Sequence, residues 1–75
     1  EEFQLSVISV ANGDPFISEK DRGVEVMICM EGEVRIKQNG IDEPLLLATG
    51  NSVIIPSSVG WYQIDGRARL YKAAA

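Results

Sequence analysis

The chain has 75 residues, of which 45% are hydrophobic and 24% charged, and a mean hydropathy of +0.02; this excludes a disordered chain and leaves one small domain that removes only about 60% of its unfolded surface from water. A net charge of −4, with Arg67, Arg69 and Lys72 as the only basic cluster, excludes a footprint for nucleic acid. No apolar run approaches the roughly 20 residues of a membrane-spanning helix, no basic-then-apolar leader opens the sequence, and the single Cys29 cannot make an internal disulfide, so a reducing, cytoplasmic setting is expected.

No window repeats apolar residues at i, i+3, i+4 and i+7 for more than a turn, whereas period-2 alternation and turn dipeptides recur throughout. The chain reads as all β. It begins at Glu1 rather than Met, and Glu1, Glu2 and Phe3 run straight into a strand pattern. A fragment of something longer is therefore expected, with a removed tag or a disordered start as the alternatives. Phe3, Leu5 and Val7 alternate with Gln4 and Ser6, and then Ile8 and Val10 carry the apolar set to the other parity, which marks a bulge. Asn12-Gly13-Asp14-Pro15 ends this strand. Phe16 to Glu19 leads to the polar loop Lys20-Asp21-Arg22-Gly23, and Val24 to Met30 is the strongest strand. Glu31-Gly32 is read as the turn into a return strand, Glu33 to Gln38, and Asn39-Gly40 as a hairpin signal. Leu45 to Leu47, Val53 to Ile55, Trp61 to Ile64 and Ala68 to Ala73 complete the set. Short strands at this spacing predict a sandwich or barrel.

With a two-residue turn at Glu31-Gly32, Cys29 opposes Val34 and Met27 opposes Ile36, so the inner face is Glu25, Met27, Cys29, Val34 and Ile36. Val24, Val26, Ile28 and Met30 then lie outside, where something covers them. A three-residue turn would instead put Val26, Ile28 and Met30 inside. In this apolar strand Cys29 reads as an inert buried thiol.

Gly50-Asn51-Ser52-Val53-Ile54-Ile55-Pro56, with Glu25 and the Glu31-Gly32 pair, resembles the motifs of a cupin, a small double-stranded β-helix or jelly-roll barrel. Glu25 with six residues before Gly32 matches the end of the first cupin motif, and Gly50 with five residues before Pro56 matches the start of the second. In the pattern so matched, the upstream metal-ligand positions fall within Ser18 to Asp21 and the second-motif position falls on Trp61. The chain contains no histidine, so the nitrogen-rich shell of a first-row metal is missing and no metal site is expected. Glu25 is thus a vestigial match, either facing the barrel interior or solvated on an outer face. Inside and unpaired, it would cost several kcal/mol, so Arg35, Lys37 or water would have to approach it. Trp61, Tyr62 and Arg69 are candidate ligand contacts. The two aromatics could stack on a sugar ring or simply plug the barrel, and Arg67 with Arg69 could clamp a phosphate or be exposed strand charges. No catalytic residue is assigned, because no nucleophile can find a histidine partner.

The order Glu2-Phe3, Met30-Glu31-Gly32-Glu33, Leu45-Leu46-Leu47 with the Gly50 to Pro56 stretch, and the closing Ala68-Arg69-Leu70-Tyr71-Lys72-Ala73 resembles the C-terminal cupin domain of type I mannose-6-phosphate isomerases over almost the whole chain. The resemblance implies a parent isomerase that interconverts mannose 6-phosphate and fructose 6-phosphate with zinc held in an upstream cupin. It also implies a C-terminal domain that has lost its metal and carries no catalytic residue. The apolar face of Val24, Val26, Ile28 and Met30 would then meet the upstream domain. Two other readings remain: a free-standing cupin that binds a sugar or effector through Trp61, Tyr62 and Arg69, and a homodimerisation module that uses the same apolar face.

Overall fold

A computed structural model describes residues 3–74; Glu1, Glu2 and Ala75 lie outside the described residues, and with them the first residue of the opening Glu2-Phe3 motif. The described chain forms strands β1 (Gln4–Val10), β2 (Phe16–Ile17), β3 (Glu25–Gln38), β4 (Leu45–Ala48), β5 (Ser52–Ile55) and β6 (Tyr62–Ala74), with one 3₁₀ turn at Ser57–Val59. The all-β expectation holds. Among the described residues no helix is long and apolar enough to cross a membrane.

Two long strands form the spine. β3 pairs antiparallel with β6 from Glu25 opposite Ala74 to Gln38 opposite Tyr62. β1 and β2 lie in turn along the free side of β6, and β5 and β4 along the free side of β3. The spine folds over at Gly32 and Gly66, whose φ angles of +97° and +126° suit glycine alone. A Cβ on Gly32 would run into the Arg67 carbonyl oxygen, and one on Gly66 would lie 2.7 Å from the Glu33 oxygen. The flanking strands break opposite the same bend, β1 from β2 at Ala11–Pro15 and β4 from β5 at Thr49–Asn51, so the two halves of the sheet face each other. Met27, Ile36, Leu47, Ile55, Ile64 and Leu70 fill the space between them, all fully buried.

Glu31-Gly32 is not a turn. β3 runs through it with a bulge at Met30, where the register against β6 slips between Cys29 and Glu31. One extra residue swaps the faces of the strand just as a two-residue reversal would. Glu25, Met27, Cys29, Val34 and Ile36 are therefore all buried as expected, although for a different reason, while Val24, Ile28 and Met30 are exposed and Val26 is half-buried. The bulge expected in β1 is also absent, since its register with β6 is regular from Gln4 to Val10. Ile8 and Val10 face the core, and Leu5 and Val7 face outward with no polar side chain in their place. The segments Trp61 to Ile64 and Ala68 to Ala73 belong to one continuous strand. Asn39-Gly40 does open a reversal, from β3 to β4, through a connection spanning residues 39–44.

Candidate functional site

Glu25 begins β3 and Tyr62 begins β6, which places them at opposite ends of the β3–β6 ladder. Twelve strand positions cover roughly 40 Å when extended. The fold-over at Gly32 and Gly66 removes that separation, and the Tyr62 hydroxyl donates to Glu25 Oε1 at 2.5 Å. Glu25 is thus interior, only 5% exposed. Its companions are not Arg35 or Lys37, whose side chains point out from β3 and are exposed. Lys72 fills that place, with Nζ 3.9 Å from Glu25 Oε2. Lys72 stands opposite Met27 in the ladder and so shares the inner face with it.

Around this cluster lies a cavity of about 500 Å³ at the barrel mouth, lined among others by Gln4, Phe16, Ser18, Glu19, Arg22 and Lys72. β2 brings Phe16 there by pairing with the start of β6, and Ser18 completes the corner by donating its N–H to the Tyr62 carbonyl while its Oγ accepts the Tyr62 N–H, both at 2.9 Å. The Phe16 and Tyr62 ring centroids are 6.2 Å apart, and the Lys72 ammonium sits 5.8 Å from the Phe16 centroid.

Arg22 locks the other side. Its Nε donates to the Gly60 carbonyl at 2.6 Å, Nη2 to Pro56 at 3.0 Å and Nη1 to Gly23 at 3.0 Å, and its guanidinium carbon lies 4.9 Å from the Tyr62 ring centre. The planar fork thereby joins the loop before β3 to the β5–β6 connection. Burial, then the bond to the Glu25 carboxylate and its charge, raise the Tyr62 phenol well above its ordinary 10.0, with the Arg22 guanidinium pulling the other way. The phenol is therefore a fixed proton donor. Among the described residues no buried side-chain nitrogen or oxygen lacks a hydrogen-bond partner.

The candidate contacts Trp61, Tyr62 and Arg69 do not come together. Tyr62 is wholly buried beneath the mouth and Trp61 is half-buried, outside the cavity lining, with its carbonyl accepting the Asn39 N–H at 3.1 Å. Arg69 lies seven positions further along β6, exposed and opposite Glu31, in a separate cleft with Arg67 and Ser9. Arg22 and Phe16 were not singled out from the sequence. Nothing local marks an arginine in a polar loop as the partner of carbonyls more than thirty residues away.

The cavity holds the positions that matched the cupin ligand set at Ser18, Glu19, Asp21 and Glu25. Their chemistry does not fit a divalent metal. One oxygen of Glu25 accepts the hydrogen bond of the Tyr62 hydroxyl and the other faces an ammonium, no imidazole exists in the chain, and among the described residues no three His, Cys, Asp or Glu side chains converge.

The model of the mannose-6-phosphate isomerase cupin domain matches residues 1–74. The chain belongs to this family. No match is found among curated proteins. In architecture this isomerase-type cupin is similar to a cupin-2 domain-containing protein from Shewanella frigidimarina, with a TM-score of 0.77 and 23% identity over 96% of this chain and 69% of that one. It is similar too to a cupin superfamily protein from Desulfitobacterium hafniense, with a TM-score of 0.78 and 21% identity over 99% and 67% of the two chains. A protein of unknown function from Acinetobacter gives a TM-score of 0.71 at 26% identity over 96% and 67%. These likenesses carry the jelly-roll fold of the mannose-6-phosphate isomerase cupin, whose mouth here is built from Glu25, Tyr62, Lys72 and Arg22.

Proposed function

We propose that this chain is the metal-free, non-catalytic C-terminal cupin of a mannose-6-phosphate isomerase polypeptide, in which zinc and proton transfer between mannose 6-phosphate and fructose 6-phosphate reside in an upstream cupin. The observation that carries the reading is the state of Glu25. This carboxylate, which matches the end of the first cupin motif, accepts from Tyr62 on one oxygen and faces Lys72 on the other. A base that abstracts a substrate proton needs a free lone pair within reach of that proton, and Glu25 is instead buried with Oε1 bonded to the Tyr62 hydroxyl and Oε2 beside the Lys72 ammonium. The domain thus supports the isomerase by packing, and the buried lone thiol of Cys29 agrees with carbohydrate metabolism in a reducing cytoplasm.

The test is mannose 6-phosphate isomerisation by the whole polypeptide with Glu25→Gln. The expected kcat and KM stay within about twofold of the parent, whereas loss of a catalytic base costs about a hundredfold or more. A loss of that size would overturn the reading.

The mouth cavity favours a second reading, a cupin that takes a small polar ligand, since its volume lies within the range of ligand pockets. A ligand seated there would meet Phe16, Gln4 and Lys72 rather than Arg69. A thermal shift with sugar phosphates, abolished by Lys72→Met, would favour this reading over the first.

A further inference from the structure

The inner face of the sheet turns polar toward the mouth. Register sets Gln4, Ala74, Glu25 and Ile55 in one inward row and Ser6, Lys72, Met27 and Val53 in the next. From the facing half of the sheet, Phe16 stands in the inward row of Ile64 and Ile36, and the loop after β2 carries the exposed Glu19 and Asp21 to the same cavity of about 500 Å³. The two cations of the lining are not equivalent. Arg22 turns Nε, Nη1 and Nη2 to main-chain carbonyls, so its fork is not offered to a ligand. Lys72 Nζ stands 3.9 Å from Glu25 Oε2, too far for a hydrogen bond, which leaves ammonium donors for a ligand in the cavity.

We propose that the mouth holds an uncharged polyol, a monosaccharide or sugar alcohol, by its hydroxyls, and does not recognise phosphate. The inference rests on the second reading above, a mouth that takes a small polar ligand, and names the class of that ligand. Charge is the first argument. The lining sets three acidic side chains, Glu19, Asp21 and Glu25, against two basic ones, Arg22 and Lys72, a balance of −1. A phosphate monoester adds about −1.5 to −2 to this, and with the Arg22 fork taken it would meet the Glu19 and Asp21 carboxylates with the Lys72 ammonium alone to offset them. Hydrogen-bonding capacity is the second. A hydroxyl both donates and accepts, so a polyol satisfies the Lys72 donors, the Glu19 and Asp21 acceptors and the Gln4 amide together, which an anion cannot. Aromatic surface is the third. Phe16 is half-buried in the wall, and the negative face of its ring suits the C–H side of a sugar. A sugar phosphate would enter ring first and leave its phosphate in solvent.

Calorimetric titration of the whole polypeptide with mannose, with mannitol and with inorganic phosphate tests it, in the parent, in Gln4→Ala, Phe16→Ala and Lys72→Met, and in the control Arg69→Met, an exposed residue of the separate cleft. Circular dichroism would verify that each variant folds, and Gln4 is exposed, so its variant keeps the test open should Phe16→Ala unfold. The expected result is binding of both polyols, with dissociation constants that rise at least about threefold in each of the three mouth variants and stay unchanged in the control. No phosphate binding that depends on Lys72 is expected. Phosphate binding that is lost in Lys72→Met overturns the inference and leaves the small-ligand reading standing. Titrations in which neither polyols nor phosphate respond to the mouth variants overturn both.

Discussion

The Tyr62 hydroxyl reaches Glu25 across the barrel interior, joining residues that stand at opposite ends of the longest strand pair. This bond closes the mouth and satisfies a buried carboxylate at once. Removing the hydroxyl with Tyr62→Phe leaves Glu25 Oε1 buried without its donor, for an expected cost of about 1–3 kcal/mol. Glu25→Gln keeps an acceptor and should cost less. Urea unfolding of both single variants and the double variant reads the coupling, and strict additivity would show that the bond contributes nothing.

Burial of the phenol, together with this bond, sets an alkaline limit. The Tyr62 phenol titrates above its unfolded value of 10.0 in the folded chain, so below pH 10 both states hold the proton and its contribution to stability is complete. Above pH 10 the unfolded chain releases the proton first, and stability falls by up to about 1.4 kcal/mol per pH unit until the folded pKa is passed. Melting temperatures between pH 9 and 12 should decline more steeply for the parent than for Tyr62→Phe. Parallel curves would refute this assignment.

Gly32 and Gly66 should be the least replaceable glycines. Alanine at either meets the carbonyl of the neighbouring long strand, whereas Gly13, Gly40 and Gly50 have open space where a Cβ would go. The open three should lose only the backbone term, about 1–3 kcal/mol each. Gly32→Ala and Gly66→Ala should lose more, enough to unfold a domain of this size at 37 °C, as soluble yield and thermal melts would report. Equal losses at all five positions would contradict the close crossing of β3 and β6.

Arg22→Lys should behave almost as badly as Arg22→Ala. A single ammonium cannot reach the Gly60, Pro56 and Gly23 carbonyls that the fork holds. Hydrogen exchange around Ser57–Val59 should accelerate in both variants, and full protection in the lysine variant would assign the role to charge alone.

The parity of apolar residues carried the inner face of β3 and the all-β barrel into view, because a period of two is a local property. The same locality misplaced the reversal. Glu31-Gly32 has the composition of a turn, yet Gly32 is demanded by the approach of Arg67 from β6, thirty-five positions along the chain. The site was legible only as single letters for the same reason. Glu25 matched a motif by spacing, while its true partners Tyr62 and Lys72 arrive through β6 and Arg22 binds carbonyls after β5. The apolar shift in β1 was read as a bulge because an outward Leu5 and Val7 make little sense for a strand facing water.

The most direct test of the proposal that the mouth holds no metal is the zinc content of the whole polypeptide against its Glu25→Gln variant, measured by elemental analysis after dialysis. The account predicts the same zinc content in both, because Glu25 answers to Tyr62 and Lys72. Loss of one zinc equivalent in the variant would contradict it.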